Sequence, residues 1–194
     1  MAPSTIPTKA DLRARALAAR RAMTVAAREV AGVAISRAVL EAPEVSTARS
    51  VAAYLSFGTE PATQHLVEDM RSRGVRVLVP VLRSDLDLDW TEYGDKTGNA
   101  QDARSWSTPS GPRLGLDAIA GADVVLVPAL AVDGRGMRLG RGGGSYDRAL
   151  ARLPHARPVF ALLYDGECPV VVPVEPHDRP VTAVVTPREV LRFA

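Results

Sequence analysis

Residues 134–150 hold the densest set of anion-handling groups in the sequence: Gly-Arg-Gly-Met-Arg-Leu-Gly-Arg-Gly-Gly-Gly-Ser-Tyr-Asp-Arg-Ala-Leu. Six of the first eleven are glycine, and three arginines are interleaved among them. Glycine admits positive φ and lets backbone come close to a ligand. Successive N–H groups in such a turn form a concave anion site. A following helix start adds free N–H groups, and arginine adds forked donors matched to phosphate oxygens. Asp147 can hold a cation against the same phosphates. A hydrophobic run, 124–130, precedes the loop and a helix-like stretch, 146–153, follows it. Strand, glycine loop, acid and helix together describe a cradle for a nucleoside triphosphate. The alternative is a flexible surface loop, but such linkers favour Gly with Ser rather than Gly with Arg.

The loop matches neither of the two commonest phosphate motifs. A P-loop needs a lysine near its end, and none lies between Lys96 and the C-terminus. A Gly-x-Gly-x-x-Gly fingerprint starting at Gly140 fails at Ser145. The segment 138–147, Arg-Leu-Gly-Arg-Gly-Gly-Gly-Ser-Tyr-Asp, instead closely resembles the signature of the 5-formyltetrahydrofolate cyclo-ligase (methenyltetrahydrofolate synthetase) family. That signature typically reads Arg-Leu-Gly-x-Gly-x-Gly-Tyr-Tyr-Asp.

Other residues are weighed with and without this resemblance. Thr8-Lys-Ala-Asp11 is a capping-box-like helix start. It places Lys9 and Arg13 four apart on one helix face, close to a positive dipole end where cations are disfavoured. A solvated basic face reaching Arg20 would account for them. The resemblance implies instead that both bind ATP phosphates, because the family opens with Lys-x-x-x-Arg. Glu60 follows an apolar run of strand length, 51–55, at the strand end where open α/β sheets bind ligands. Alone it reads rather as a solvated loop acid. The resemblance implies a folate contact for Glu60 and for Leu55, five positions earlier. The segment 174–178 reads as a polar turn, and the resemblance makes Asp178 a magnesium-contacting acid.

The elements that position these residues alternate between strand and helix. A second helix, capped by Thr24, runs toward Leu40 with Val30, Val33 and Ala34 expected inward. A helix is expected over 63–72, and strands over 75–82 (ended by Pro80), 123–130, 158–164 and 181–186. Leu86-Asp-Leu-Asp-Trp90 alternates with period two. Asp85, Asp87 and Asp89 resemble a calcium loop, but Trp90 and Lys96 occupy its glycine and glutamate positions, so they are expected to be solvated strand acids. Turns are expected at 94–98 and a Pro/Gly-rich loop at 108–116. Asp133 is expected to be structural. The fold class is therefore α/β, with a mainly parallel sheet covered by helices on both faces. The resemblance covers residues 9 to about 186 and adds a ribose-phosphate isomerase/CoA-transferase-like topology. The whole of 1–194 is expected to form one domain with a mobile tail at 1–7.

Composition fits this outline. Hydrophobic residues make up 46% and charged residues 24% of the 194, which suits a soluble globular core. No apolar run approaches the roughly 20 residues a membrane helix needs, and the N-terminus lacks a secretory h-region. The single cysteine, Cys168, excludes an internal disulfide and reads as packing. The expected location is cytoplasmic and the expected state monomeric. The net charge of +2 is too small to imply nucleic-acid binding. Lys9 and Lys96 are the two lysines among 24 basic residues, a weak hint that a retained lysine is chemically required. His65 and His155 read as surface residues, and His177 carries little signal.

The resemblance implies ATP-driven cyclisation of 5-formyltetrahydrofolate to 5,10-methenyltetrahydrofolate, with release of ADP and phosphate. Arg141 is the catalytic candidate and also a contact to ATP and folate. Lys9, Arg13, Arg138, Leu139, Gly140, Gly142, Gly143, Gly144 and Tyr146 would hold ATP. Leu55 and Glu60, with Gly142, Gly143 and Gly144, would line the folate side. Asp147 and Asp178 would hold Mg²⁺, the implied cofactor. Three positions depart from the family pattern: Ser145 in place of the first tyrosine, Thr108-Pro-Ser-Gly-Pro112, and Thr182 in place of a common aspartate. They leave open a paralogue using ATP on another formyl or acyl substrate. A non-catalytic basic protein that binds nucleic acid is the reading from another class.

Overall fold

The computed structural model describes residues 7–94 and 111–193. Most of the expected tail, most of the 94–98 turn, Lys96, and Thr108, Pro109 and Ser110 of the altered element lie outside them. The chain builds α1 (Lys9–Ala22), α2 (Val25–Glu41), α3 (Pro43–Ser46) and β1 (Ser50–Ala53), then α4 (Gln64–Ser72), β2 (Arg76–Leu82) and β3 (Leu88–Glu92). A 3₁₀ helix (Leu116–Gly121) leads to β4 (Val124–Pro128), β5 (Ala131–Val132) and β6 (Arg138–Leu139). They are followed by α5 (Ser145–Leu150), β7 (Val159–Leu162), β8 (Ala183–Val185) and β9 (Val190–Arg192).

Seven strands form one sheet in the order β3-β2-β1-β4-β7-β8-β9. The inner five run parallel, and β3 and β9 are antiparallel edges. Side chains alternate across this sheet as the pleat requires. Val51, Ala53, Val124, Leu126, Phe160 and Leu162 join Ile35, Val39, Leu66 and Met70 of α2 and α4 in one core. Ala52, Val125, Val127, Ala161 and Val184 face the other way, onto Trp90, Ile119, Ala149 and Leu150. Both faces are therefore covered, and the parallel strands read as continuous apolar runs for that reason. The separate β5–β6 hairpin carries α1 through Leu12, Leu130, Ala131, Leu139 and Val172.

Local chemistry sets the element boundaries. The Thr8 hydroxyl accepts from the Asp11 N–H and the Asp11 carboxylate accepts from the Thr8 N–H, closing the expected capping box. Thr24 caps α2 through the Ala27 N–H at 3.1 Å. The buried side of α2 is not the expected one: Val30 and Val33 are 71% and 67% exposed, while Ala31, Gly32, Ile35, Ser36 and Val39 are buried. The helix turns its small residues inward because Gly32 packs on Ala62, where a Cβ would stand 3.1 Å away.

Pro80 does not end β2, which continues to Leu82 opposite Leu88. The bonds Tyr93 N–H to Val77 O and Arg83 N–H to Asp87 O put Pro80 at a non-hydrogen-bonded position opposite Trp90. Its missing N–H therefore costs this ladder nothing. β3 starts two residues later than expected because Leu86, at φ +64°, belongs to the turn. Asp87 is not solvated either: it is buried, and both its oxygens take Arg152 amino groups, at 3.0 and 2.6 Å. Asp133 is structural, its Oδ1 accepting from the N–H groups of Arg135 and Met137. Thr182 bonds the Val159 backbone through both its donor and its acceptor, so this departure sits in the sheet. Cys168 packs against the second core, and burial raises its thiol pKa.

Candidate active site

A cleft of about 370 Å³ opens beyond the C-terminal ends of the parallel strands, where ligands of such sheets bind. Pro128, at the end of β4, and Ala129 and Leu130 after it form part of its wall. The β5–β6 hairpin then returns the chain so that residues 138–147 line the cleft without interruption. Two loop glycines need their residue type. Gly142, at φ +104°, faces the Arg13 guanidinium, and Gly144 sits at φ +68°. α5 is only six residues long, so the loop itself contributes more to this wall than a helix dipole does.

Four distant stretches bring charged groups to the cleft, and each basic group except Arg13 has an acidic partner there. Lys9 donates to Asp178 Oδ2 at 2.7 Å and also to Glu175. Arg13 Nε donates to the Gly140 carbonyl at 2.9 Å, which ties α1 to the loop. Arg138, with a side chain 4% exposed, pairs with Asp147 at 2.9 Å and donates to the Arg179 carbonyl. Arg141 Nε meets Glu60 Oε1 at 3.1 Å, and its guanidinium lies 4.4 Å from the Phe57 ring centroid.

These environments shift the titrating groups in different directions. Burial dominates at Glu60 and raises its pKa, although the Phe57 N–H and Arg141 oppose it. Burial also works against the charge of Asp178, but the Lys9 and Glu175 N–H hydrogen bonds outweigh it and the pKa falls. Lys9 is raised: burial is overcome by its two carboxylate partners. The Tyr146 phenol, half-buried and near Glu60, is pushed far above the ordinary range by desolvation and stays protonated.

The structure brings together Lys9, Arg13, Glu60, Arg138, Leu139, Gly140, Arg141, Gly142, Gly143, Gly144, Tyr146, Asp147 and Asp178. Leu55 is outside this lining. It lines an adjoining recess with Tyr54, Pro80 and Val81, and that recess shares Phe57, Glu60, Leu82, Leu88, Pro128 and Tyr146 with the cleft. Sequence reasoning missed this apolar end, formed by Phe57, Leu82, Leu86 and Leu88. Their signal was available, since Phe57, Leu82 and Leu86 are large apolar residues beside strand ends. It also missed Glu175 and gave His177 little weight. The ligating atoms of Glu175, His177 and Asp178 lie within 4.8 Å of one another, in a group that does not include Asp147.

A family model for 5-formyltetrahydrofolate cyclo-ligases matches residues 5–187. The chain belongs to that family. A 5-formyltetrahydrofolate cyclo-ligase from Mycolicibacterium smegmatis is 40% identical over 93% of this chain and 94% of its own length. One from Escherichia coli K12 is 34% identical over 88% of this chain and 96% of its own. Among solved structures, the 5,10-methenyltetrahydrofolate synthetase of Aquifex aeolicus superposes with a TM-score of 0.79 at 23% identity, covering 95% of this chain and 92% of that one. The Mycoplasma pneumoniae enzyme gives 0.73 at 18%, covering 92% and 98%. At those identities the two structures speak for the α/β fold. The cyclo-ligase family assignment rests on the sequence match.

Proposed function

We propose that this cleft carries out ATP-dependent cyclisation of 5-formyltetrahydrofolate to 5,10-methenyltetrahydrofolate. The observation that supports it most is Arg141, which joins the glycine loop to the apolar recess by reaching Glu60 and covering Phe57. A phosphoryl group passed from nucleotide to folate has to cross that boundary.

The chemistry explains the residue types. The formyl group on N5 is an amide: a poor electrophile whose oxygen is a poor leaving group. Attack of the formyl oxygen on the γ-phosphorus breaks the bond to ADP and gives an iminium phosphate. The N10 lone pair then closes the ring on the formyl carbon, the N10 proton goes to solvent, and phosphate leaves with the former formyl oxygen. Such transfer is catalysed by positioning and charge neutralisation, and a well-placed arginine contributes about 10³–10⁵ in rate. Arg141 takes that part. Lys9, Arg13 and Arg138 bind phosphate oxygens beside the 140–144 loop. Glu60 holds Arg141 and offers an acceptor to the folate, while Leu55, Phe57, Leu82 and Leu88 exclude water from its ring face.

Oxygen donors from Asp178 and Glu175, which lie close together, suit a hard cation and would hold Mg²⁺, and Asp147 would have to leave Arg138 to join them. When bound, the ion neutralises phosphate charge. No described helix is long and apolar enough to cross a membrane, and we place the reaction in the cytoplasm. The nucleic-acid reading loses its support, because the loop arginines Arg138 and Arg141 pair with acids inside the cleft. The test is formation of the methenyl chromophore from 5-formyltetrahydrofolate with ATP and Mg²⁺. ATP turnover that ignores added folate would refute the proposal.

A further inference from the structure

Arg148 does not line the cleft, yet its guanidinium touches both of the cleft's lips. One amino group donates to the Gly143 carbonyl at 3.1 Å and to the Leu86 carbonyl at 2.6 Å. Gly143 belongs to the phosphate-side loop. Leu86 belongs to the apolar end, where its half-exposed side chain lines the cleft.

The turn that carries Leu86 is closely braced. Leu86 has φ +64°, a conformation uncommon for a leucine. Its N–H donates to the Arg83 carbonyl, and the Asp87 N–H donates to Asp85. The Asp87 carboxylate takes Arg152 in two hydrogen bonds. Arg148 and Arg152, four residues apart, therefore grip adjacent points of the same turn. The loop side is equally constrained: a Cβ on Gly144 would come within 3.0 Å of an Arg148 amino nitrogen. Glycine at 144 thus serves the positive φ and the path of the guanidinium together.

We propose that Arg148 is a positioning residue that couples nucleotide binding to folate binding. Order imposed on the 140–144 loop by ATP is passed through this guanidinium to the 83–87 turn and fixes Leu86 against the folate. The ordering cost met by the first ligand is then spared to the second, which is positive cooperativity without a new contact. Linkage requires the effect to be reciprocal. The inference rests on the functional reading above.

The experiment measures the Kd of 5-formyltetrahydrofolate with and without the β,γ-imido analogue of ATP plus Mg²⁺. In the wild type the analogue tightens folate at least about fivefold. In Arg148→Met that ratio falls toward one, while each ligand alone binds within about twofold of wild type. Arg148→Lys, which keeps donors and charge, recovers part of the ratio. Equal ratios in wild type and Arg148→Met, or a ratio of one in the wild type, overturn the coupling. If Arg148→Met does not fold, amide exchange in the wild type decides: the analogue must slow exchange at Leu86 and Asp87, and unchanged exchange overturns the proposal. Failure of the wild type to bind the analogue or the folate at all would overturn the functional reading together with the coupling.

Discussion

Arg141 and Glu60 lie 81 positions apart in sequence and meet at 3.1 Å, Nε to Oε1, with the Glu60 side chain only 4% exposed. The pair joins the glycine loop to the turn after β1, and it gives Glu60 two opposing roles. Burial favours its neutral form, so its folded pKa lies above the ordinary value, whereas the contact with Arg141 uses the charged form. For a carboxyl raised on folding, stability is fully present below the unfolded pKa and is lost as pH rises through the folded one. Glu60→Gln is therefore expected to have a higher Tm than wild type at pH 8, with the two curves converging near pH 4. It is also expected to lower kcat/KM for the folate by about 10- to 100-fold, the worth of a charged hydrogen bond. Thermal melts across pH and initial rates check both. A destabilised Glu60→Gln at pH 8 would mean that the Arg141 pairing outweighs burial.

Lys9 is held more firmly than its place in the first helical turn suggests. It bridges Glu175 and Asp178 across 166 and 169 positions and is itself largely covered. Lys9→Ala leaves the Asp178 carboxylate, 9% exposed, without its cation. The expected cost at pH 7 is about 1 kcal/mol, or about 2–4 °C in Tm, together with a raised KM for ATP. Asp178 has a depressed pKa. Its contribution is thus present above the unfolded value and disappears as pH falls through the folded one. The Tm gap between wild type and Lys9→Ala is expected to close below the ordinary carboxylate range. A gap that persists at pH 2.5 would assign it to lost helix packing instead.

The loop wall of the cleft was legible in the sequence because residues 138–147 are contiguous. Lys9 and Arg13 share one helix face, but spacing alone read them as a solvated basic face, and only the family resemblance pointed them toward the cleft they line. The sheet was legible because its parallel strands are mainly apolar runs, and most of them are separated by helical stretches. What could not be read depends on contacts between distant segments. Pro80 reads as a strand end until its non-hydrogen-bonded position opposite Trp90 is known. Val30 and Val33 read as core until Gly32 is seen against Ala62. Asp87 reads as solvated until Arg152, 65 positions away, is found on it. The apolar end of the cleft has the same origin, because Phe57, Leu82 and Leu88 come from three strand ends and share no motif.

Asp147 combines a structural and a chemical task. Its Oδ1 accepts from Arg138 at 2.9 Å and from the Arg179 N–H at 3.2 Å. Arg138 is buried, and its Nε has no hydrogen-bond partner among the described residues. Asp147→Asn keeps an acceptor for Arg138 but removes the compensating charge. The fold is thus not expected to be indifferent to this change: a loss of about 1–3 kcal/mol follows from a weakened buried pair. Turnover is expected to fall to background at every Mg²⁺ concentration. A Mg²⁺ titration of activity beside a thermal melt separates the two effects. Wild-type activity at saturating Mg²⁺ would remove Asp147 from the metal site.

Ser145 lines the cleft between Gly144 and Tyr146, at the first position of α5, where the family signature has a tyrosine. Its neighbours show how far the missing ring is replaced. Tyr54 is buried with its hydroxyl donating to the Pro61 carbonyl, so it is fixed in the recess. Tyr146 borders both recess and cleft and packs on both cores, which leaves it little freedom to move in over a ligand. The apolar face at 145 is therefore absent. Fully burying a large apolar side chain is worth about 1.5–3 kcal/mol, and a ring at the cleft margin would be buried in part. Ser145→Tyr is expected to tighten 5-formyltetrahydrofolate binding about tenfold, or about 1.4 kcal/mol, just below the value for full burial, and to leave the Kd of ATP unchanged, because Lys9, Arg13 and Arg138 are held by Asp178, Gly140 and Asp147 and not by Ser145. Paired titrations of nucleotide and folate on both variants provide the measurement. If Ser145→Tyr weakens folate instead, the recess is already filled by the folate ring in the native protein, and the folate lies deeper, toward Leu55 and Tyr54, than the cleft margin.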